Sequence, residues 1–148
     1  KLFERARCYV GLISVGIARA AMNAAVAYAT ERDQWGKKIA GHQMIQDMIA
    51  NMATELECAR LLCYQGLSLV DKGVRCDTQT SMAKFYATEA AVRIASNAVQ
   101  IHGAMGLSRE LAVEGHFRNA RMMTIPDGTS QIQKLIIARN ILGVSAFD

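Results

Sequence analysis

The chain has 148 residues, of which 51% are hydrophobic and 20% are charged, and its mean hydropathy is +0.10. This balance excludes a disordered chain and predicts one globular domain with a buried core. The formal net charge is only +4, and basic and acidic residues are interspersed, which disfavours a nucleic-acid-binding surface. A single proline and eight methionines predict an all-α fold without a sheet.

The first predicted helix covers residues 4 to 30. Its segment CYVGLISVGIARAAMNAAVAYA, residues 8 to 29, is long and apolar enough to resemble a membrane span. Arg19 and Asn23 stand near its centre, however, and a charged side chain in the middle of a bilayer is costly. We therefore predict a core helix and no membrane span, with glycines and alanines that allow neighbouring helices to approach closely.

Four further helices follow in the hydrophobic pattern, at about 42–72, 77–101, 109–122 and 129–142. The helix at 42–72 carries apolar residues spaced three and four apart. Gly73 is predicted to end this helix in a left-handed conformation. Ser108 is predicted to cap the fourth helix. Three long and two short helices joined by short loops predict an antiparallel four-helix-type bundle, a single domain over residues 1–148.

The cysteines and histidines give no sign of a metal or nucleophile site. Cys8, Cys58, Cys63 and Cys76 lack the C-x-x-C spacing, so we predict buried free thiols in a reducing compartment. None of the three histidines follows a glutamate by three residues, as the ligands of di-iron bundles do. We therefore predict no metal site.

Four segments occur in order along the chain: YATERDQWGKKIAGHQMIQ (28–46), MAKFYATEAA (82–91), AVQIHGAMG (98–106) and IPDGTSQIQKLIIAR (125–139). Together they resemble the C-terminal helical domain of the acyl-CoA dehydrogenase family, over almost the whole chain. In that family a subunit also has an N-terminal helical domain and a central β-domain, which we expect to be absent from this chain. The resemblance implies FAD at a subunit interface and a homodimer or homotetramer.

The resemblance also implies the residues that bind FAD. Arg32 matches an arginine that reaches the FAD phosphates across the interface, a role that suits the several fixed donors of a guanidinium. A solvated side chain at a helix end is the alternative. Trp35 replaces the usual phenylalanine, and Ala104 stands where a second glycine is usual. The other implied FAD-binding residues are Gln43, Gln100, Gly103, Thr129 and Gln131.

The turn Pro126-Asp127-Gly128-Thr129 stands where most family members have Tyr-Glu-Gly-Thr, whose glutamate removes the α-proton of the acyl-CoA. The resemblance therefore implies that Asp127 is the catalytic base. The alternative is a plain helix N-cap in a turn without chemistry, because Asp is a favoured residue there. Asp is shorter than Glu by one C–C bond, about 1.5 Å of reach, which leaves the substrate open.

The start of the chain matches the family less closely. Glu4 and Arg7 fall where family members have residues near the thioester, so the resemblance implies that both contact substrate, as does Gly128. We expect Asp127 to face a cleft beside Arg7. Some members carry their catalytic glutamate on this first helix, where the present chain has Ala6, which cannot accept a proton.

These matches imply FAD-dependent α,β-dehydrogenation of an acyl-CoA thioester, with an electron-transfer flavoprotein as candidate electron acceptor. Two alternatives remain open. One is a flavoenzyme of the same fold that oxidises a nitroalkane or a carrier-bound acyl group, and the other is a non-catalytic helical assembly subunit. We expect the protein in the cytoplasm, or in the mitochondrial matrix if it is eukaryotic.

Overall fold

Five α-helices make up most of the computed structural model, which describes residues 2–147. They are α1 (Leu2–Glu31), α2 (Gln43–Asp71), α3 (Asp77–His102), α4 (Val113–Met123) and α5 (Ser130–Leu142). Two short 3-10 helices, Ile39–Gly41 and Gly103–Leu107, lie between them. The predicted all-α fold is confirmed, and the bounds of the three long helices lie within two residues of the predicted ones.

The bundle is built around α3, which packs against each of the other four α-helices. Many of its buried residues are alanines, whose small side chains allow neighbouring backbones to come close. Ile94, Ala98 and Ile101, which are spaced four and three apart on one face of α3, are buried. The hydrophobic pattern did not predict that polar side chains of α3, among them Lys84 and Thr88, are also buried.

The first helix lies in the bundle as a core helix. By length and composition it is the one helix within residues 2–147 that could cross a membrane. It nevertheless packs against α2, α3 and α4, and ten of its residues are buried in those contacts. Arg19 and Asn23 are exposed to solvent.

Close approach of α1 and α2 depends on two glycines. A Cβ atom at Gly66 would lie 2.7 Å from Cys8 Sγ, and one at Gly11 would lie 2.6 Å from Cys63 Sγ. Both sulfurs are fully buried, so neither has free space beside it. Burial raises the pKa of Cys8 to about 11 and that of Cys63 to about 12, because the thiolate loses its hydration. Both thiols are therefore neutral packing groups at neutral pH.

The prediction of buried thiols is correct for three cysteines and wrong for Cys58, which is exposed. Its neighbour Ala59 is a core residue, and one step along a helix turns a side chain by about 100°. Cys58 therefore points away from the core stripe that Ala59 and Cys63 share.

The fourth helix starts at Val113, four residues later than predicted. Ser108 does not cap it, because its hydroxyl instead accepts a hydrogen bond from the Glu110 amide at 3.2 Å, in a local turn. The chain before Ser108 forms a 3-10 helix packed on the end of α3, where Gly106 is required: a Cβ there would lie 2.6 Å from Val99 O.

A short β-hairpin between α1 and α2, with two residues in each strand, contradicts the prediction of a fold without a sheet. Strands β1 (Asp33–Gln34) and β2 (Lys37–Lys38) pair antiparallel. Trp35 and Gly36 both have positive φ, +54° and +75°, the pattern of the two-residue turns that suit hairpins. Strands this short give no recognisable alternation of apolar and polar residues, so the sequence pattern did not reveal them.

Gly66→Ala is expected to destabilise the protein by about 1–3 kcal/mol, because the new methyl group has no room beside the Cys8 sulfur. Cys8→Ala removes that sulfur. The double variant should therefore lose less free energy of unfolding than the sum of the two single variants. Chemical denaturation followed by circular dichroism measures all three values.

Gly16→Ala is the matched control for this prediction. Apart from its chain neighbours and the backbone of its own helix, no atom within residues 2–147 lies within 4 Å of a Cβ at Gly16, so alanine should be neutral or stabilise by up to about 1 kcal/mol. Equal free energies of unfolding for the Gly66 and Gly16 variants would contradict the close approach of α1 and α2.

Candidate active site and cofactor cavity

An open cavity of about 960 Å³ lies where the hairpin, the start of α2 and the end of α3 meet. It brings together five of the seven predicted FAD-binding residues: Arg32, Trp35, Gln43, Gln100 and Gly103. Arg32, Trp35 and Gln43 are more than 50 residues from Gln100 and Gly103 in the sequence, so the fold brings the two groups together. A cavity of this size lies in the usual range for small-molecule and cofactor sites.

The hairpin side of the cavity is fixed through the backbone of Arg32. Its amide donates to Tyr28 O at 2.9 Å, and its carbonyl accepts from the Ile39 amide at 2.9 Å. The guanidinium itself is exposed at the cavity, and Trp35 is 92% exposed at the tip of the hairpin. Both side chains are therefore available to a bound molecule.

The opposite side is formed by the end of α3 and the start of α2. Gln43 is the first residue of α2, Gln100 lies in the last turn of α3, and Gly103 follows that helix with φ +59°. Apart from its neighbours along the chain, no atom of the described residues lies within 4 Å of a Cβ at Gly103. The backbone conformation, and not crowding within the chain, therefore requires glycine at this position.

Two aromatic rings in the cavity were not predicted from the sequence. Tyr28 and His102 stack with ring centroids 4.4 Å apart, and His102 Nδ1 lies 2.7 Å from Ala98 O. Both residues line the cavity. Both lie within the matched segments, in the last turns of α1 and α3, where an aromatic ring cannot be distinguished from ordinary packing by sequence.

The chemistry of the lining fits FAD. Arg32 and Lys37 supply positive charge, and no Asp or Glu lines this cavity in the part of the chain that the structure describes. An electropositive cavity suits a pyrophosphate. The side-chain amides of Gln43 and Gln100 can form hydrogen bonds with polar groups next to the pyrophosphate. The flat face of Trp35 can pack against an aromatic base.

Asp127 lies elsewhere, in the turn between α4 and α5, and is exposed. It has φ +53°, a left-handed conformation that Asp tolerates better than most residues, and Gly128 follows with φ +91°. The N-cap of α5 is Thr129, whose hydroxyl accepts from the Ile132 amide at 3.4 Å. The alternative role of Asp127 as the cap is therefore filled by another residue.

The residues 124–129, which we call the base turn, are held from inside the bundle. Lys84 Nζ donates to Thr124 O at 3.0 Å, and Gln133 Nε2 donates to Asp127 O at 3.0 Å and to Gly128 O at 3.1 Å. Burial lowers the pKa of Lys84, although the Asp127 and Glu89 carboxylates act in the opposite direction. The buried side chains fix the backbone, and the Asp127 carboxylate remains outside.

Besides Asp127 and Gly128, four further predicted site residues lie outside the cavity. Thr129 and Gln131 lie at the start of α5. Glu4 is buried, and its Oε1 accepts from the Cys76 amide at 3.3 Å, at the start of α3. Arg7 is half-buried, and its Nε has no hydrogen-bond partner within residues 2–147.

No described contact joins Arg7 to Asp127, so the expected cleft between them stays a prediction, as do the substrate contacts of Glu4 and Gly128. The structure over residues 2–147 has no group of three His, Cys, Asp or Glu side chains placed to hold a metal ion.

Comparison with known proteins identifies the family. The sequence model of the family described as acyl-CoA dehydrogenase, C-terminal domain, matches residues 1–142. The chain is 45% identical over 142 residues to the caffeyl-CoA reductase-Etf complex subunit CarC of Acetobacterium woodii, a match that covers 96% of this chain and 38% of the relative. This chain thus spans little more than a third of the length of that relative.

Solved structures agree with the family model. Butyryl-CoA dehydrogenase from Megasphaera elsdenii superposes with a TM-score of 0.93 at 33% identity, over 95% of this chain and 37% of that one. PigA, solved with FAD and proline, superposes with a TM-score of 0.90 at 30% identity, over 94% of this chain and 36% of that one. The chain therefore belongs to the acyl-CoA dehydrogenase family, of which it forms the C-terminal helical domain.

Proposed function

We propose that this domain acts in a FAD-dependent α,β-dehydrogenation of an acyl-CoA thioester, to which it contributes the catalytic base, FAD contacts and a subunit interface. The observation that carries the proposal is the base turn. It presents an exposed Asp127 carboxylate on a fixed backbone, at the position of the family's usual glutamate, while Thr129 caps the helix. Asp127 is thus free to accept a proton.

In this mechanism Asp127 removes a proton from carbon α of the thioester. Bound FAD supplies the acceptor for the hydride that leaves carbon β. Substrate seated over Asp127 excludes water from the carboxylate during the proton transfer. Asp is about 1.5 Å shorter than Glu. The backbone at Pro126 and Asp127 must therefore bring the Asp127 carboxylate within reach of the substrate.

We assign FAD binding to the cavity and to the start of α5. Arg32 and Lys37 offer donors and positive charge to the pyrophosphate, with Trp35, Gln43, Gln100 and Gly103 around them. Thr129 and Gln131 offer polar side chains at the start of α5. The cavity is open, so a second subunit is expected to complete it.

The proposed assembly is a homodimer or homotetramer, supported by large apolar side chains that are exposed in the single chain. They include Phe3, Tyr9, Ile13, Leu61, Ile141, Leu142, Val144 and Phe147. Exposed apolar surface of this kind marks contact with other copies or other domains.

An electron-transfer flavoprotein is the proposed redox partner, because the relative CarC is named as part of a reductase-Etf complex. The direction of reaction, dehydrogenation of an acyl-CoA or reduction of an enoyl-CoA, then depends on that partner. We propose that the protein works in a reducing compartment, the cytoplasm or a mitochondrial matrix, in keeping with its free cysteines.

A second candidate is oxidation of another substrate on the same fold, such as a nitroalkane or a carrier-bound acyl group. The shorter base favours it, because Asp127 replaces the glutamate usual for acyl-CoA substrates. Flavin reduction by butyryl-CoA and by nitroethane, measured with the complete protein, separates the two candidates. Reduction by nitroethane alone would favour the second.

Arg32→Ala is expected to weaken FAD binding by about 10- to 100-fold, the effect of one charge-assisted contact. Flavin fluorescence during titration of the FAD-free complete protein measures the dissociation constant. Arg60→Ala, which removes the same charge from an exposed ion pair on α2, should leave FAD binding unchanged. Equal affinities of the Arg32 variant and the wild type would contradict the assignment of the cavity.

Asp127→Asn is expected to retain fold and flavin but to lose flavin reduction by substrate by several orders of magnitude. The amide keeps the size of the side chain and tolerates positive φ, but it cannot accept a proton. Stopped-flow bleaching of the flavin by butyryl-CoA measures the rate, with Glu57→Gln as a control that removes an exposed carboxylate elsewhere. Undiminished reduction in the Asn variant would return Asp127 to a structural role.

Asp127→Asn and Thr129→Ala should also differ in stability. Thr129→Ala removes the hydroxyl that caps α5 and is expected to lower the free energy of unfolding by about 0.5–2 kcal/mol. Asp127→Asn should lower it less, because no capping bond is lost. Denaturant unfolding of both variants makes the comparison, and a Thr129→Ala variant as stable as the wild type would contradict the role of Thr129 as the cap.

A further inference from the structure

Lys84 is an unusual residue for the centre of a helical bundle, because its side chain is fully buried. Removing an ammonium group from water costs several kcal/mol unless partners compensate. An apolar side chain of similar length would fill the same space without that cost. What the lysine adds is a donor directed at the Thr124 carbonyl and a positive charge close to Asp127 and Glu89.

Both ends of the base turn are tied to the same helix, α3. At the start of the turn, the Thr124 carbonyl accepts a hydrogen bond from Lys84 Nζ at 3.0 Å. The same carbonyl accepts from the Ser130 amide at 3.1 Å, which joins the two ends of the turn. Just after the turn, the Ser130 hydroxyl donates to the carboxylate of Glu89. A shift of the base turn would therefore break hydrogen bonds to α3, the most enclosed helix of the bundle.

Gln133 holds the middle of the turn from the other side, α5. Its side chain is fully buried, and its Nε2 donates to the carbonyls of both Asp127 and Gly128. Its Oε1 is buried without a hydrogen-bond partner within residues 2–147. The Gln133 side chain thus binds the base turn through its amide nitrogen. Its two acceptors belong to successive residues that both have positive φ.

We propose that Lys84 and Gln133 are positioning residues for Asp127, a proposal that rests on the function proposed above. They hold three carbonyl groups of the base turn and so fix the direction in which the Asp127 carboxylate leaves the bundle. A base displaced by about 1 Å can lose on the order of a hundredfold in rate. This fixation matters more for a short aspartate than for a glutamate, whose extra bond allows adjustment.

The test follows proton removal separately from flavin reduction, in the complete protein with FAD bound. The probes are (methylthio)acetyl-CoA and (phenylthio)acetyl-CoA, in which sulfur replaces carbon β, so that no hydride can leave. Exchange of their α-hydrogens for deuterium from D2O is measured by mass spectrometry. Lys84→Met and Gln133→Leu should each slow exchange by about a hundredfold while flavin content and probe binding stay unchanged.

Combination with Asp127→Asn distinguishes positioning from general damage. If Lys84 acts through Asp127, Lys84→Met should cause no further loss of exchange when Asp127→Asn is already present. Thr80→Val is the matched control, because it removes a buried hydrogen bond from α3 without touching the base turn. It should lower stability and leave exchange unchanged.

Wild-type exchange rates in Lys84→Met and Gln133→Leu, with Asp127→Asn slow, would overturn the positioning role and leave the proposed function standing. Equal slowing by Lys84→Met with and without Asp127→Asn would also overturn it. Wild-type exchange in Asp127→Asn would instead overturn the proposed function itself, and the positioning role with it. If Lys84→Met does not fold, Gln133→Leu tests the same proposal from α5.

Discussion

The enclosure of α3 by the other four helices is the constraint on which the rest of the structure depends. Its many alanines let four backbones approach it closely, and that approach buries the Lys84 side chain among protein groups. Lys84 must therefore find its acceptor inside the bundle, and it finds the carbonyl of Thr124. A packing requirement of one helix thus sets the backbone of the base turn.

The same helix connects the two candidate sites. Its last turn and the residue after it supply Gln100, His102 and Gly103 to the cofactor cavity, while Lys84, in its first half, holds the base turn. A closely packed helix changes length and direction little, so the spacing between cavity and base is fixed by the fold.

The sequence was sufficient for the three long helices and for the motif residues that the fold brings together in the cavity. Period and composition predicted the three long helices, and the family resemblance named Arg32, Gln100 and Asp127 before the fold brought the cavity together. The N-cap of α5 was not decided in advance, because Asp127 and Thr129 are both good capping residues and only geometry chooses between them. Lys84 and Gln133 were missed because such side chains are normally exposed, and their burial follows from tertiary packing alone.

A structure of the complete protein with FAD and (methylthio)acetyl-CoA bound gives the most direct measurement, the distance from the Asp127 carboxylate to carbon α of the probe. We predict a carboxylate oxygen within about 3–3.5 Å of that carbon, with the Lys84 and Gln133 bonds to the base turn retained. A retained base turn whose carboxylate faces bulk water, away from the thioester, would contradict the assignment of Asp127 as the base.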